Sequence, residues 1–525
     1  MSKVQILDCT LRDGGYCNEW KFGRNNIPKV LMGLEEAGID IIECGFLKDS
    51  SITDDDSTQY SSLQQAEKFI STENKNCQYV CMINYGAVDI ANIPDYSGGI
   101  ISGIRVAFHK KDLKPALEFC EQIKKKGYLV YLQPMVVLDY SDEEFLELVR
   151  LANLIHPYAF YIVDSFGVMK KKELIHIFYM ADKNLKTDIM IGFHSHNNMQ
   201  LSYSNAQSLL EIQGNRDVII DCCVFGMGRG AGNLNTELFE QYVNDNYGGH
   251  YSVPPILRIY DEILARFYVE NSWGYSLANY LSAAHNSHPN YATYLENKNT
   301  LTVPNMNHIF SMMDVEKKNQ FDKEYIEKLY QEYMARNRAK EEDSELFRKQ
   351  VHNREVLIVA SGTSSREEKD IILEYIKKNN CLVIAINAEY PYYESDYVFV
   401  SNIRRYKQMD KKLYPKMIVT SNILCDEAHL RLDYDKYTNN YEGVEDNAAL
   451  LLIRFLIQEG ISQIAIAGID GYSHDLTQNY ADSKMLIVTS SEVLDRRNVG
   501  IERFINEQKE FANIHSVTKP RYIRF

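Results

Sequence analysis

Short apolar runs rich in β-forming residues recur along the first part of the chain, and helical patterns separate most of them. There are eight such runs: VQILDCT, DIIECGF, QYVCMIN, GIRVAFH, YLVYLQPM, FYIVDSFG, IMIGFHSH and DVIIDCCVF. One intervening segment, SDEEFLELVRLANLI, opens on Ser141 and Glu144 as a capping box. Eight strand–helix pairs within roughly 250 residues predict an α/β fold, the (β/α)₈ TIM barrel, with a doubly wound open sheet as the alternative.

The pattern changes twice after the barrel region. Helical segments such as PPILRIYDEILARF follow, and the last of them, DKEYIEKLYQEYMARNRAKEEDSELFRKQ, is so charged that it predicts an exposed helix or linker. Strand–helix alternation returns at EVLIVASGTSS and continues to QIAIAGID. We therefore predict a barrel at 1–250, a C-terminal helical extension and linker at 251–345, and a separate Rossmann-like α/β domain at 350–525.

Composition and charge narrow the class of protein. The chain has 525 residues, a net charge of −15 and a pI near 5.4, which argues against nucleic acid as a partner. Its 10 cysteines form no CxxC pair and several lie in apolar runs, which favours buried free thiols in a reducing compartment. The N-terminus shows no signal peptide and no apolar run is long enough to span a membrane, so we expect a cytoplasmic protein.

Polar residues collect where the predicted barrel strands end, which is where barrel enzymes place their chemistry. Burying so many polar groups at one rim is costly unless they bind something. Among them we expect Gln133, Ser165 and Arg229 to bind substrate. The whole set is Arg12, Asp13, Glu43, Asn84, Arg105, His109, Gln133, Asp164, Ser165, His194, His196, Arg229 and Asn233.

His194 and His196 alternate on one strand, so both imidazoles point to the same face and enter one site. Together with the carboxylate of Asp13 they form a set of metal ligands that leaves coordination positions open for substrate. The alternatives are a structural role for the histidines and a plain Asp-Gly turn at Asp13. The loop GMGRGAGN at 226–233 could cradle a phosphate, and Asn233 could cap the next helix.

Four separated motifs, LDCTLRDGG, IIECGF, GFHSHNN and GMGRGAGNLNTE, resemble the DRE-TIM metallolyase superfamily over about residues 1–320. The chain looks nearest to 4-hydroxy-2-oxovalerate aldolase, with VDSFG and WGYSLANYLSAAHNSHPNY also similar. The resemblance implies a divalent metal on Asp13, His194 and His196, with Asn233 completing the shell directly or through water. Mn²⁺ is expected, with Mg²⁺, Co²⁺ and Zn²⁺ as alternatives. Arg12 would stabilise an enolate oxygen and Glu43 would orient these groups.

The proton-transfer group departs from that pattern. The aldolase has a histidine shortly after its RDG motif, and this chain has Tyr16 at that position. Tyrosine is a poorer base than histidine near neutral pH, which leaves His109 and His285 as further candidates.

The second domain carries SGTSS between a predicted strand and helix, a location suited to an anion. The domain loosely resembles bacterial sialyltransferase-like domains that bind nucleotide sugars, which implies a nucleotide or nucleotide sugar at Ser361, Gly362 and Thr363. A structural or assembly role is the alternative. SGTSS matches neither GxGxxG nor a P-loop, so a dehydrogenase domain is not expected.

These patterns predict a metal-dependent aldolase, a carbon–carbon lyase that acts through the enolate of a 2-oxo acid such as pyruvate and an aldehyde partner. The resemblance of the second domain suggests synthesis of a sugar for a surface polysaccharide. Two alternatives stay open: a Claisen-type synthase joining an acyl-CoA to a 2-oxo acid, and an inactive barrel that serves as scaffold for the second domain. A homo-oligomer also stays open.

Overall fold

The computed structural model describes residues 3–50, 53–71, 77–298, 300–336, 341–351, 354–487 and 489–525. It divides into two compact units. The barrel unit comprises Met1–Tyr294 with Asp314–Phe321, and the C-terminal unit comprises Leu295–Met313 with Asp322–Phe525. The segment expected to form a helical extension, 251–345, is therefore divided between the two units.

The barrel unit contains a closed ring of eight parallel strands, which confirms the predicted barrel. The ring follows the order β1-β9-β8-β7-β6-β5-β4-β2 and closes where Leu7 of β1 pairs with Ile41 of β2. A two-residue strand, β3, pairs with the end of β2. The strands are β1 Val4–Asp8, β2 Ile41–Leu47, β3 Gln59–Tyr60, β4 Gln78–Asn84, β5 Ile101–Phe108, β6 Leu129–Pro134, β7 Ala159–Asp164, β8 Met190–Ser195 and β9 Val218–Cys222.

Amphipathic helices cover the outside of this ring, and their apolar faces form the hydrophobic core with the strands. Ser141 caps the helix that follows β6 through a complete capping box with Glu144, as the sequence predicts. The helices up to residue 297 are α1 Ile27–Ala37, α2 Leu63–Glu67, α3 Leu113–Lys125, α4 Asp142–Ile155, α5 Lys171–Asn184, α6 Ser202–Ile212, α7 Thr236–Tyr247, α8 Val253–Ile259, α9 Ala265–Glu270, α10 Leu277–Ala284 and α11 Pro289–Asn297. Short 3₁₀ turns lie at Gly14–Cys17, Ile90–Asn92, Lys110–Asp112, Val137–Asp139, Val224–Gly226 and Val315–Lys317, and a π-helical turn lies at Tyr260–Leu264.

The C-terminal unit is built on a separate, fully parallel sheet of seven strands in the order β14-β13-β12-β11-β10-β15-β16. The chain starts at β10, adds four strands on one side, and then places the last two on the other. This is a doubly wound order with one reversal point, between β10 and β15. The strands are β10 Val356–Val359, β11 Leu382–Ile386, β12 Tyr397–Val400, β13 Met417–Thr420, β14 Leu430–Leu432, β15 Gln463–Ala467 and β16 Asn513–Ser516.

Helices cover this second sheet as well. They are α12 Val303–Ser311, α13 Lys323–Met334, α14 Glu341–Val351, α15 Ser364–Glu367, α16 Lys369–Asn379, α17 Ile403–Tyr406, α18 Tyr434–Tyr437, α19 Ala448–Gln458 and α20 Ser491–Gln508. Short 3₁₀ turns lie at Lys411–Lys416, Leu476–Gln478 and Ser483–Met485. Across the described ranges of both units, no helix is at once long and apolar enough to cross a membrane.

The charged stretch before the second sheet includes helix α14, whose described side chains are mostly exposed and which packs through one apolar edge. Phe347 and Val351, one turn apart on α14, are fully buried. The Phe347 ring packs 5.4 Å from that of Phe455. Arg348 adds an ion pair with Glu459, Nη2 to Oε2 at 2.7 Å. Two apolar residues at helical spacing are enough to anchor a helix whose other face is charged.

Candidate active site

Most of the polar residues predicted at the strand ends of the barrel line one cavity of about 280 Å³. Aromatic and apolar side chains line its walls, and the predicted ligands and substrate-binding residues lie among them. The predicted site residues that line it are Arg12, Asp13, Tyr16, His109, Gln133, Ser165, His194, His196 and Arg229. This convergence follows from the parallel ring, because all eight strands end at the same rim.

Asp13, His194 and His196 form a buried cluster whose candidate ligand atoms all lie within 4.8 Å of one another. His194 lies in β8 and His196 follows its last residue, while Asp13 lies in the turn after β1. The Nδ1 of His196 is buried, has no hydrogen-bond partner, and lies 3.9 Å from the Oδ2 of Asp13. A buried imidazole nitrogen without a partner next to a carboxylate is what a metal site requires.

Asn233 is held against this cluster. Its Nδ2 donates to the Oδ2 of Asp13 at 2.6 Å and to the carbonyl oxygen of Met227 at 3.0 Å. Its Oδ1 is buried without a partner. The next helix begins at Thr236 after Asn235, so the alternative role of Asn233 as a helix cap is wrong. The free oxygen fits a further ligand.

Asp221 holds the ring of His194 in place through its Nδ1. Asp221 is not among the site residues expected from the sequence. The Nδ1 of His194 lies 3.0 Å from the Oδ2 of Asp221, which leaves Nε2 for a ligand. Burial lowers the pKa of His194, but the hydrogen bonds with Asp221 and Cys9 outweigh it and raise the pKa to about 9. A metal at Nε2 would therefore displace a proton.

The pKa of His196 is shifted in the opposite direction to that of His194. Burial, with the nearby positive charges of His194 and Arg229, lowers the pKa of His196 to about 3 although Asp13 opposes this. The Arg12 guanidinium holds the pKa of Asp13 below its usual range in spite of burial. A neutral imidazole and an ionised carboxylate are the protonation states that bind a divalent cation.

A second group with suitable side chains, Cys9, His194 and Asp221, lies beside the first. Neither Cys9 nor Asp221 lines the cavity. Asp221 is also committed elsewhere, because it pairs with Arg105 and accepts a hydrogen bond from the Tyr161 hydroxyl at 3.0 Å. The Asp13 group is therefore the better metal site.

Arg12 is oriented by a charged network inside the barrel. Its Nε donates to the Oε2 of Glu43 at 2.7 Å, and its Nη1 donates to Asp13. Arg105, which is fully buried, pairs with the same Glu43 oxygen at 2.9 Å and with Asp221. Glu43 itself does not line the cavity. Its expected role, to orient the groups around the metal, fits this position.

Gln133, Ser165 and Arg229 all line the cavity. With its amide oxygen turned toward Arg105, Gln133 accepts hydrogen bonds from that guanidinium at 3.0 and 3.2 Å. The Ser165 hydroxyl accepts from the backbone N–H of Val136 at 2.9 Å. The Arg229 guanidinium lies over the Tyr16 ring, 5.1 Å from its centre, and its Nε is buried without a partner.

The expected third base candidate, His285, is not among the residues that line the cavity, whereas His288 and His109 are. The Nη1 of Arg229 lies 3.2 Å from the Nε2 of His288. Burial and the nearby Arg229 charge lower the pKa of His288 to about 3, and burial also lowers the pKa of His109. His288 could not be chosen from the sequence. His285 and His288 both follow α10 closely, and no periodic pattern shows which of the two faces the cavity.

Several backbone amides of the glycine loop at 226–233 are taken by hydrogen bonds within the protein. The N–H of Asn233 donates to the carbonyl of Gly226 at 2.9 Å, and the N–H of Gly232 donates to that of Arg229 at 3.1 Å. The Ala231 N–H is taken by Asn198 at 2.8 Å. These bonds fold the loop so that Asn233 lies against Asp13.

In the C-terminal unit, Ser361 and Gly362 line a second cavity, and Thr363 does not. The expected anion site at SGTSS is blocked because a carboxylate of the chain already occupies it. Asp470 accepts hydrogen bonds from the Ser364 N–H at 2.8 Å and from the Ser364 hydroxyl.

The first half of the chain is similar to several known proteins. Residues 104–245 match the HMGL-like family model. The chain is 28% identical over 247 residues to a 4-hydroxy-2-oxovalerate aldolase from Pseudoalteromonas translucida, across 45% of this chain and 68% of that one. Two solved structures are similar: the N-terminal domain of a candidate aldolase from Bacteroides vulgatus (25% identity, TM-score 0.48, 56% of this chain and 96% of that one) and an HMG-CoA lyase from Bacillus subtilis (15%, 0.41, 51% and 94%). Residues 104–245 are therefore similar to the HMGL-like family, and the first half of the chain is similar to 4-hydroxy-2-oxovalerate aldolases.

Proposed function

We propose that the barrel is a divalent-metal-dependent aldolase that cleaves or forms a carbon–carbon bond next to the carbonyl of a 2-oxo acid such as pyruvate. The observation that carries the proposal is the buried Asp13, His194 and His196 cluster, placed beside Arg12 in one cavity. The similarity to 4-hydroxy-2-oxovalerate aldolases supports the same chemistry.

Asp13, His194 and His196 would hold the metal, and the free Oδ1 of Asn233 would complete or face its shell. Mn²⁺ is the metal we expect. The alternatives are Co²⁺ or Zn²⁺, which suit the imidazole ligands, and Mg²⁺, which would be bound mainly through oxygen atoms. When bound, such an ion supplies Lewis-acid polarisation of a carbonyl oxygen. The remaining steps depend on residues of the chain itself.

Arg12 would donate to the substrate oxygen that gains negative charge as the enolate forms. Glu43 accepts a hydrogen bond from one edge of the Arg12 guanidinium, so this donor is oriented before the substrate binds. Arg229 would bind the carboxylate of the 2-oxo acid. No carboxylate within the described ranges pairs with Arg229, and its Nε lacks a hydrogen-bond partner, so an anion would satisfy it. Gln133 and Ser165 would fix the substrate's orientation.

We assign proton transfer to His109. It lies at the cavity end of β5 and is half-buried, and its lowered pKa keeps the imidazole neutral near pH 7. His288 is also neutral, but a pKa near 3 makes it a weak proton acceptor. Tyr16 stacks against Arg229 and is exposed at the cavity mouth, which suits substrate positioning.

The test is incubation of the full chain with pyruvate in D₂O, with and without Mn²⁺ after chelation. We expect metal-dependent incorporation of deuterium into the pyruvate methyl group. We also expect new carbon–carbon products, seen by mass spectrometry, when aldehydes are added. His194→Ala with His196→Ala should abolish both the exchange and the binding of about one metal ion per chain. Full activity of the metal-free wild type would contradict the proposal.

The same assay separates the alternatives. A Claisen-type synthase would form products only with an acyl-CoA, and acetyl-CoA is therefore included. A scaffold barrel would neither exchange deuterium nor form product. A role in making a sugar for a surface polysaccharide rests only on the resemblance of the second domain and stays a prediction.

A further inference from the structure

The barrel has a further cavity at its rim, beside the one that contains the proposed metal site. Its volume is about 390 Å³, which is in the range of small-molecule sites. The loops that follow β6 and β7 form it, together with the first turns of α5 and Asn286. We call it the side cavity. It lies at the carboxyl ends of the strands, which is the face where TIM barrels bind their substrates.

The side cavity and the metal-site cavity are neighbours. Asp139, which lines the side cavity, accepts a hydrogen bond from Asn319, which lines the metal-site cavity. A substrate that is too long for the metal-site cavity therefore has the side cavity next to it. Four residues line both cavities, namely Val136, Val163, Ser165 and Phe166.

Tyr140 gives the side cavity an unused hydrogen-bonding group. It lies in the loop after β6 and is only 8% exposed. Its hydroxyl is buried and has no hydrogen-bond partner within the described ranges. A buried hydroxyl without a partner is costly, and a ligand hydroxyl that bonds to it would remove that cost.

The charged groups around the side cavity are already paired. The Oδ1 of Asp142 lies 2.9 Å from the Nε2 of His176, and Glu173 accepts from the backbone N–H of Lys170 at 2.7 Å. Asp164 accepts from two backbone N–H groups at 3.0 and 3.1 Å. Carboxyl groups also outnumber cationic groups among the lining residues, so a phosphorylated ligand is disfavoured. These walls suit an uncharged ligand that carries hydroxyl groups.

We propose that the side cavity binds the hydroxylated tail of an uncharged aldose, the aldehyde that reacts with the 2-oxo acid in the barrel. The Tyr140 hydroxyl bonds to one hydroxyl of the aldose, and the Asn286 amide can both donate to and accept from another. The tail of an alkyl aldehyde would leave the Tyr140 hydroxyl without a partner.

This inference rests on the function proposed for the barrel and names the class of its second substrate. In the reaction, the methyl carbon of pyruvate loses a proton and bonds to the aldehyde carbon. The aldehyde oxygen takes up a proton and becomes a hydroxyl group. The atoms therefore balance without a further reactant.

The first test compares aldehydes of equal length in the presence of the full chain, Mn²⁺ and pyruvate. D-Erythrose is compared with butanal, and D-ribose with pentanal, by kcat/KM for product formation per open-chain aldehyde. We expect each aldose to react better than its alkyl counterpart. D-Erythrose 4-phosphate should react several-fold less well than D-erythrose, because its phosphate would meet the carboxyl groups of the side cavity.

Tyr140→Phe removes only the hydroxyl group. It should lower kcat/KM for both aldoses by about three- to tenfold, the usual net effect of one hydrogen bond. The values for butanal and pentanal, and deuterium exchange into pyruvate, should not change. Each aldehyde is compared with itself, so its open-chain fraction cancels. Tyr179→Phe is the matched control, because Tyr179 is exposed on α5 and does not line the side cavity.

Ribitol has no aldehyde group and tests the side cavity whatever the barrel catalyses. Saturation-transfer NMR should show that ribitol binds wild type and Tyr179→Phe, and that it binds Tyr140→Phe more weakly. A lack of deuterium exchange in wild type would contradict the function proposed for the barrel, and ribitol binding would still decide on the side cavity.

Four outcomes would overturn the proposed aldose site. Alkyl aldehydes would react as well as aldoses of the same length, or D-erythrose 4-phosphate would react better than D-erythrose. Tyr140→Phe would slow the reactions of alkyl aldehydes as much as those of aldoses. Ribitol would give the same signal with wild type and Tyr140→Phe.

Discussion

The Oε2 of Glu43 accepts a hydrogen bond from the Nε of Arg12 over 2.7 Å, and both side chains are buried. This bond orients the guanidinium that we expect to meet the substrate. Glu43→Gln removes the charge and leaves Arg105 paired only with Asp221. We expect turnover to fall at least about tenfold and the free energy of unfolding to fall by about 3 kcal/mol, as when a buried ion pair loses one partner. Urea denaturation and steady-state kinetics measure the two effects.

A double-mutant cycle distinguishes a role of Glu43 in positioning Arg12 from a role in stability alone. If Glu43 acts through Arg12, the double variant with Arg12→Lys should be little slower than Arg12→Lys alone. Strictly additive losses in turnover would contradict a positioning role.

Asp221 should control metal affinity without touching the metal. Asp221→Asn removes the carboxylate that holds the Nδ1 of His194, and we expect about 10–100-fold weaker metal binding. Asp217→Asn, an exposed position at the start of the same strand segment, is the control. Competition with a fluorescent chelator measures the affinity. Equal affinities in both variants would show that His194 does not depend on Asp221.

Arg12→Lys keeps a positive charge but loses the planar donor group that Glu43 and Asp13 hold. We expect deuterium exchange into pyruvate to slow by about a hundredfold, the scale of losing one donor to an oxyanion. Far-ultraviolet circular dichroism should be unchanged. Exchange at the wild-type rate would reject the role of Arg12 at the enolate oxygen.

Three histidines are compared in parallel as groups for proton transfer. His109→Gln should slow exchange strongly, because it removes the group assigned to proton transfer, and His288→Gln should mainly raise KM through the loss of the Arg229 contact. His285→Gln completes the series, since His285 does not line the cavity. If only His285→Gln lost the exchange, proton transfer would be assigned to His285 and not to His109.

Periodicity predicted the barrel because strand ends in a closed parallel ring must share one rim, which is why Asp13, His194 and His196 could be placed together from spacing alone. Not every residue that supports them could be found in this way. Arg105 is among the polar residues expected at the strand ends, whereas Asp221 lies in the apolar run of β9, where the pattern does not distinguish it. Only the structure shows that Asp221 contacts the ring of His194.

The second sheet shows where the pattern fails. Strand β14 has three residues, and β16, with the sequence NIHS, has one apolar residue, so neither shows a pattern that indicates a strand. The SGTSS turn had the right location for an anion, but the N–H and hydroxyl of Ser364 bond to Asp470, which lies about a hundred residues later in the chain. Local sequence cannot show that a distant carboxylate already fills a site.

Glu240 of α7 should make the stability of the chain depend on pH. It is fully buried, neither carboxylate oxygen has a hydrogen-bond partner, and burial together with the charges of Asp8 and Glu237 raises its pKa to about 9. In the unfolded chain this group titrates near its ordinary pKa of about 4.3. Between these two values folding must take up a proton, so the contribution of Glu240 to stability is greatest below pH 4 and is lost as pH rises toward 9.

Glu240→Gln removes this titration and keeps the shape of the side chain. The variant should match wild type near pH 5 and become more stable by up to about 1.4 kcal/mol for each further pH unit up to pH 8. Asp245→Asn, an exposed position on the same helix, should shift stability equally at all of these pH values. Urea denaturation at pH 5, 6, 7 and 8 gives the comparison. A stability difference between Glu240→Gln and wild type that does not change with pH would mean that Glu240 is already ionised in the folded protein.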